Sequence, residues 1–99
     1  MASKEFEMFV EQADRLASQG RLEEAVDMYQ RALSIEPNDV AVRHNVINIY
    51  IKSGEFEPAV SEYLQWAKVC QENGLIDDAI AVYNELNDLE NQVDRKSVV

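Results

Sequence analysis

The chain has 99 residues, 19 acidic against nine basic, and a formal charge of −10; this excludes the cationic footprint that nucleic acid and anionic membranes require, and fits either a plain acidic solvated surface or a basic protein partner. A single cysteine, Cys70, rules out an internal disulfide and any CxxC metal or redox motif. The apolar residues are spread periodically, with no block that reads as a secretory leader or membrane span, so one soluble, cytoplasmic domain is expected.

Only three glycines and two prolines punctuate the chain, which therefore reads as long helices. Ser3 is a candidate cap for a first helix, about Lys4 to Gln19, whose Phe6, Phe9, Val10, Ala13, Leu16 and Ala17 keep helical spacing. Gly20 and Arg21 turn the chain into a second helix, about Leu22 to Ile35. Glu23 and Glu24 in its first turn suit the positive end of the macrodipole, and Ala25, Tyr29, Ala32 and Leu33 share one face. Pro37 cannot continue the helix and biases Glu36 away from helical angles. Asn38 or Asp39 then caps a third helix, about Val40 to Ser53. Its Val42, Val46, Ile47, Ile49 and Ile51 are dense enough in branched side chains to read alone as a strand. Spacing decides for helix, because Ile47 and Tyr50 precede Gly54 by seven and four residues, as Ala13 and Leu16 precede Gly20. A fourth helix spans about Phe56 to Asn73, with Pro58 tolerated in its opening turn. A fifth runs from Ile76 to about Glu90 or beyond, opened by Asp77 and Asp78 as dipole partners rather than a metal pair, and the tail 91–99 is expected to fray.

A glycine, an alanine five residues on and a tyrosine four further occur three times, as Gly20–Ala25–Tyr29, Gly54–Ala59–Tyr63 and Gly74–Ala79–Tyr83. The first interval between glycines is 34 residues, the period of stacked helix-turn-helix units. Over about residues 6 to 90 the chain resembles the tetratricopeptide repeat family. The resemblance implies an all-α solenoid of five helices, or two and a half units: repeat 1 about 6–39, repeat 2 about 40–73, and a partial third about 60–90. Because Gly74 follows Gly54 after only 20 residues, the third unit shares the helix 56–73 with the second. Arg43 stands where the family commonly has an aromatic residue, and Trp66 where it favours alanine.

No catalytic constellation is legible. His44 is the only histidine, Cys70 lies in another helix, and neither a phosphate loop, HExxH nor a calcium loop is present. No enzyme activity, cofactor or metal is therefore expected. Cys70, Tyr50, Tyr63, Trp66, Met8 and Met28 read as core. The family resemblance implies instead a protein-interaction scaffold, in which the first helix of each pair lines a concave groove for a peptide or partner helix. Carried onto this chain, the groove residues are Val10, Glu11 and Asp14, then His44, Asn45, Asn48 and Lys52, and from the fourth helix Gln65 and Lys68. After Asp39 nothing is negative until Glu55, and Asn45 and Asn48 are poor helix-interior residues that suit either a contact role or plain solvation. The family's clamp for chaperone-tail carboxylates is excluded: only Asn45 matches it, while Val10, Asp14, Ser61 and Gln65 depart from it.

The fifth helix carries two apolar stripes. Ile76, Ala79, Ile80 and Tyr83 form the face that the motif sends inward. Leu75, Val82, Leu86, Leu89 and Val93 form a second, expected to face outward as a self-association edge. A homodimer through this edge, the next helix of a longer array, or the chain's own tail would cover it.

Overall fold

The computed structural model describes residues 3–97, with side chains through residue 92. Five helices follow one another: α1 (Lys4–Ser18), α2 (Leu22–Ile35), α3 (Val40–Lys52), α4 (Phe56–Glu72) and α5 (Ile76–Ser97). No strand occurs among the described residues, so the branched stretch of α3 is helical, as its repeat spacing predicts. No helix among them is long and apolar enough to cross a membrane.

The helix ends follow from local chemistry. Ser3 Oγ accepts from the Phe6 amide at 3.0 Å, and an Asp39 carboxylate oxygen accepts from the Val42 amide at 3.0 Å, each satisfying an orphan donor of the first turn. The three motif glycines close α1, α3 and α4 by one device. Each has a positive φ (80°, 74° and 73°), and the residue after it donates to a carbonyl five positions back: Arg21 to Leu16, Glu55 to Tyr50 and Leu75 to Cys70. No other residue type takes that conformation without strain. The fifth helix runs beyond Glu90 to Ser97, because Asn91 to Lys96 contains neither glycine nor proline to stop it.

Each helix packs on the one before it, and α3 joins two cores. Val42 and Val46 of α3 close the first with Phe6, Ala13, Ala25, Tyr29, Ala32 and Leu33. Ile47, on its other side, enters the second with Ala59, Tyr63, Trp66, Ala67, Cys70, Ala79, Val82, Leu86 and Leu89. Cys70, Tyr63 and Trp66 are core residues as expected, whereas Met8 is exposed and packs against nothing in either cluster.

Between the cores lies a polar network that the sequence reading did not anticipate. Arg43 and Glu62 are both buried, with Nη1 of Arg43 3.2 Å from Oε2 of Glu62. Arg43 Nε donates to the Pro37 carbonyl at 2.9 Å, and Gln30 donates to Oε1 of Glu62. Burial pulls the Arg43 pKa down, and the Glu62 carboxylate pulls it back up. Arg43 therefore occupies its aromatic-type core position as one half of an ion pair that ties α2, α3 and α4 together.

The two stripes of α5 depart from expectation at most positions, though Ala79 is buried and Leu75 exposed as expected. Val82, Leu86 and Leu89, placed on the outer edge by the sequence reading, are buried with Ala79 against α4. Ile76, Ile80 and Tyr83 are exposed at 57%, 54% and 40%, with Leu75 at 36%. Val93 lies outside the residues whose side chains are described. The cause is neighbour number. In the first unit, the equivalent Leu22 and Val26 of α2 line a crevice with Ile49 and Tyr50 of α3. Among the described residues no further helix lies beyond α5, so Ile76, Ile80 and Tyr83 of the motif face are left outside while its Ala79 stays buried.

The buried phenols make the fold sensitive to alkali. Burial, then the Glu85 charge and hydrogen bond, pushes the Tyr63 phenol from 10.0 up to about 12. Burial also raises Tyr29 and Tyr50. A folded pKa above the unfolded one means that stability is intact below pH 10 and is lost as pH rises through 12. Thermal melts between pH 8 and 12 are expected to show a midpoint that holds to about pH 9.5 and then falls; a flat profile to pH 12 would show that these phenols are not desolvated.

Candidate protein-interaction surface

Helices joined by such short turns run antiparallel, so α1, α3 and α5 point one way and α2 and α4 the other. Side chains link α3 to both α1 and α5: Val42 and Val46 share a core with Phe6 and Ala13 of α1, and His44 bonds Glu85 of α5. On α3 the buried residues Val42, Arg43, Val46 and Ile47 occupy one side, which leaves Ala41, Asn48 and Lys52 exposed on the opposite ridge. His44 and Asn45 flank that ridge.

Asn45 leans toward the first unit. There the Tyr29 hydroxyl donates to Asp14 across from α1, and a hydrogen bond from Asn45 partly offsets the burial that raises the Tyr29 pKa. His44 leans toward α5. Its Nε2 lies 2.9 Å from Oε1 of Glu85, and its ring meets Trp66 edge-on at 5.0 Å between centroids. The Tyr63 hydroxyl donates to the same Oε1 of Glu85 at 3.5 Å, and Tyr63 stacks on Trp66 at 6.5 Å. Asn38 accepts from the Trp66 indole and from the Cys70 thiol, both at 3.3 Å, which fixes the ring from below. Burial also raises the Cys70 thiol pKa, so this sulfur is a packed thiol and not a nucleophile.

On α1, Val10 is half-buried while Glu11 and Asp14 are exposed, and on α3, His44 and Asn45 are half-buried while Asn48 and Lys52 are exposed. Gln65 and Lys68 do not join them. The face of α4 that carries Glu62, Tyr63 and Trp66 meets α3 and α5, and Gln65 and Lys68 sit exposed on the helix's outer side. The sequence reading also missed the α5 residues that face His44 and Trp66 across a cleft, Asp78, Ala81 and Glu85. Their spacing of three and four is legible in the sequence, but the Gly74–Ala79–Tyr83 motif lies on the adjacent face and carries no signal for them.

Beside His44 a cleft of about 140 Å³ opens between the N-terminal halves of α3 and α5. Val40, His44 and Trp66 line one side, and Asp78, Ala81, Val82 and Glu85 the other. Asp78 and Glu85 therefore make the α5 side of this cleft acidic. Among the described residues, no three His, Cys, Asp or Glu side chains converge as metal ligands.

A family model described as tetratricopeptide repeat matches residues 16–69, more than half of the chain. No curated protein matches it. With glycine-closed helical hairpins, the alanine–tyrosine spacing and this match in agreement, the chain belongs to the tetratricopeptide repeat family, whose domains mediate protein–protein interaction.

Proposed function

We propose that the chain is a non-catalytic scaffold whose α1–α3–α5 face receives a peptide or helix of another protein. The observation that carries this reading is the exposed polar ridge of α3, Asn48 and Lys52, on a helix held by the buried Arg43–Glu62 pair, with exposed carboxylates on α1 (Glu11, Asp14) and α5 (Asp78, Asp88). Asparagine gains little from sitting in a helix interior, and at Asn48 it packs against no core. A partner bound there contributes what the fold does not.

Two double variants test the assignment. Asn48→Ala/Lys52→Ala alters the α3 ridge, and Gln65→Ala/Lys68→Ala alters the outer side of α4. All four positions are exposed, so each substitution is expected to change stability by less than about 0.5 kcal/mol. Proteins retained from an extract of the source cells by the wild-type chain are expected to be lost from the first variant and kept by the second. The reverse pattern would move the site to the outer side of α4.

A second reading is favoured by the exposed Ile76, Ile80 and Tyr83: the chain associates with itself, or continues into further repeats, through this face of α5. Tyr29 and Tyr63, the equivalent residues of the other two motifs, are buried at 3% and 6%. Self-association predicts a dimer by light scattering at high micromolar concentration that Ile80→Glu returns to monomer. A wild-type monomer throughout would remove that form of the reading.

A further inference from the structure

The cleft between α3 and α5 is too small for a cofactor or drug-sized ligand, which fill roughly 300–1,000 Å³, yet at about 140 Å³ it accommodates one long side chain. Its walls are divided in character. Val40, Ala81 and Val82 make them apolar, above a floor where Trp66 is held by Asn38 and by the edge of His44. Asp78 and Glu85 stand seven residues apart on α5, two helical turns or about 10.5 Å along the axis, so a carboxylate belongs to each end of the lining. Glu85 is positioned by His44 and Tyr63, both of which use Oε1.

We infer that this cleft is an anchoring subsite for a single lysine or arginine side chain of the bound partner. The inference rests on the groove reading above. An aliphatic stem matches the Val40, Ala81 and Val82 walls, and a cationic head matches a carboxylate at the end of them. An acidic side chain is repelled by Asp78, by Glu85 and by a chain of net charge −10. A neutral apolar side chain fills the same walls but desolvates the two carboxylates with nothing in return. The groove is thereby the electrostatic inverse of a clamp for acidic tails: the acidic α5 side of the cleft selects a basic segment.

The test uses the whole domain and four capped amino acids as probes, N-acetyl N-methylamides of lysine, arginine, norleucine and glutamate, titrated while amide and indole resonances are followed by NMR. Lysine and arginine are expected to shift the Trp66 indole and the Val82 and His44 amides saturably, about tenfold or more tighter than norleucine, the order of one charge-assisted hydrogen bond. Glutamate is expected to give no response. Asp78→Asn/Glu85→Gln should remove the preference for the cations. Ala81→Phe keeps both carboxylates but fills the cleft, and should abolish saturable binding. Norleucine binding as tightly as lysine, or cation binding that survives Ala81→Phe, would overturn the subsite. Loss of the subsite alone, with partner retention still sensitive to Asn48→Ala/Lys52→Ala, would leave the groove assignment standing. Loss of that sensitivity would refute the groove reading itself.

Discussion

Glu62→Ala is expected to destabilise the domain by about 3–5 kcal/mol, the range for removing one partner of a buried ion pair. Arg43 is 3% exposed, and its only charged partner at salt-bridge distance among the described residues is Glu62. Without that carboxylate the guanidinium keeps its bond to the Pro37 carbonyl but has no counter-charge in a desolvated site. A domain of this size has a total stability of about 5–15 kcal/mol, so the single variant is expected to lose a large part of it. The double change Arg43→Met/Glu62→Leu removes both charges and restores apolar packing, and is expected to fall near wild type or above it. Urea unfolding of the three chains measures the difference. A Glu62→Ala chain as stable as wild type would mean that the pair is solvated.

The second large effect separates the two faces of α5. Leu86→Glu places a carboxylate where the wild-type side chain is 6% exposed, inside the cluster with Trp66, Cys70 and Val82. Lost burial alone is worth about 1.5–3 kcal/mol, and the buried charge adds to it. A loss above about 3 kcal/mol, with melting of α5, is expected. Ile80→Glu lies where the side chain is 54% exposed and is expected to change stability by less than about 0.5 kcal/mol. Equal effects at the two positions would show that α5 does not pack as described.

These two residues also show where sequence pattern stops being informative. Leu86 and Ile80 belong to apolar stripes of similar strength, and periodicity identifies both without ranking them. What ranks them is the number of neighbouring helices, which is a property of the assembled fold. Turns are the opposite case. A glycine with positive φ and a capping Ser3 or Asp39 act within a few residues, so the five helices and their starts were legible, and the end of α5 was not because no residue there enforces a stop. Arg43 was legible as an anomaly in a core frame, but its partner Glu62 lies 19 residues away on the next helix, and no local spacing links the two.

The candidate site divides in the same way. His44, Asn45, Asn48 and Lys52 share a helix face whose orientation the repeat frame sets. Gln65 and Lys68 were placed with them because α4 was assigned two parts, and its burial pattern allows only one exposed side. Glu85 enters the site through contacts with His44 and Tyr63, 41 and 22 residues away, that only the folded chain brings within reach.

Site-specific photo-crosslinking tests the central claim most directly. A benzophenone amino acid at Asn48, on the α3 ridge of the α1–α3–α5 face, is compared with one at Lys68, on the outer side of α4. The expected result is a discrete higher-mass adduct from extract at position 48, lost when unlabelled domain is added in excess, and none at position 68. Adducts at position 68 with none at 48 would contradict the assignment of this face as the partner-binding surface.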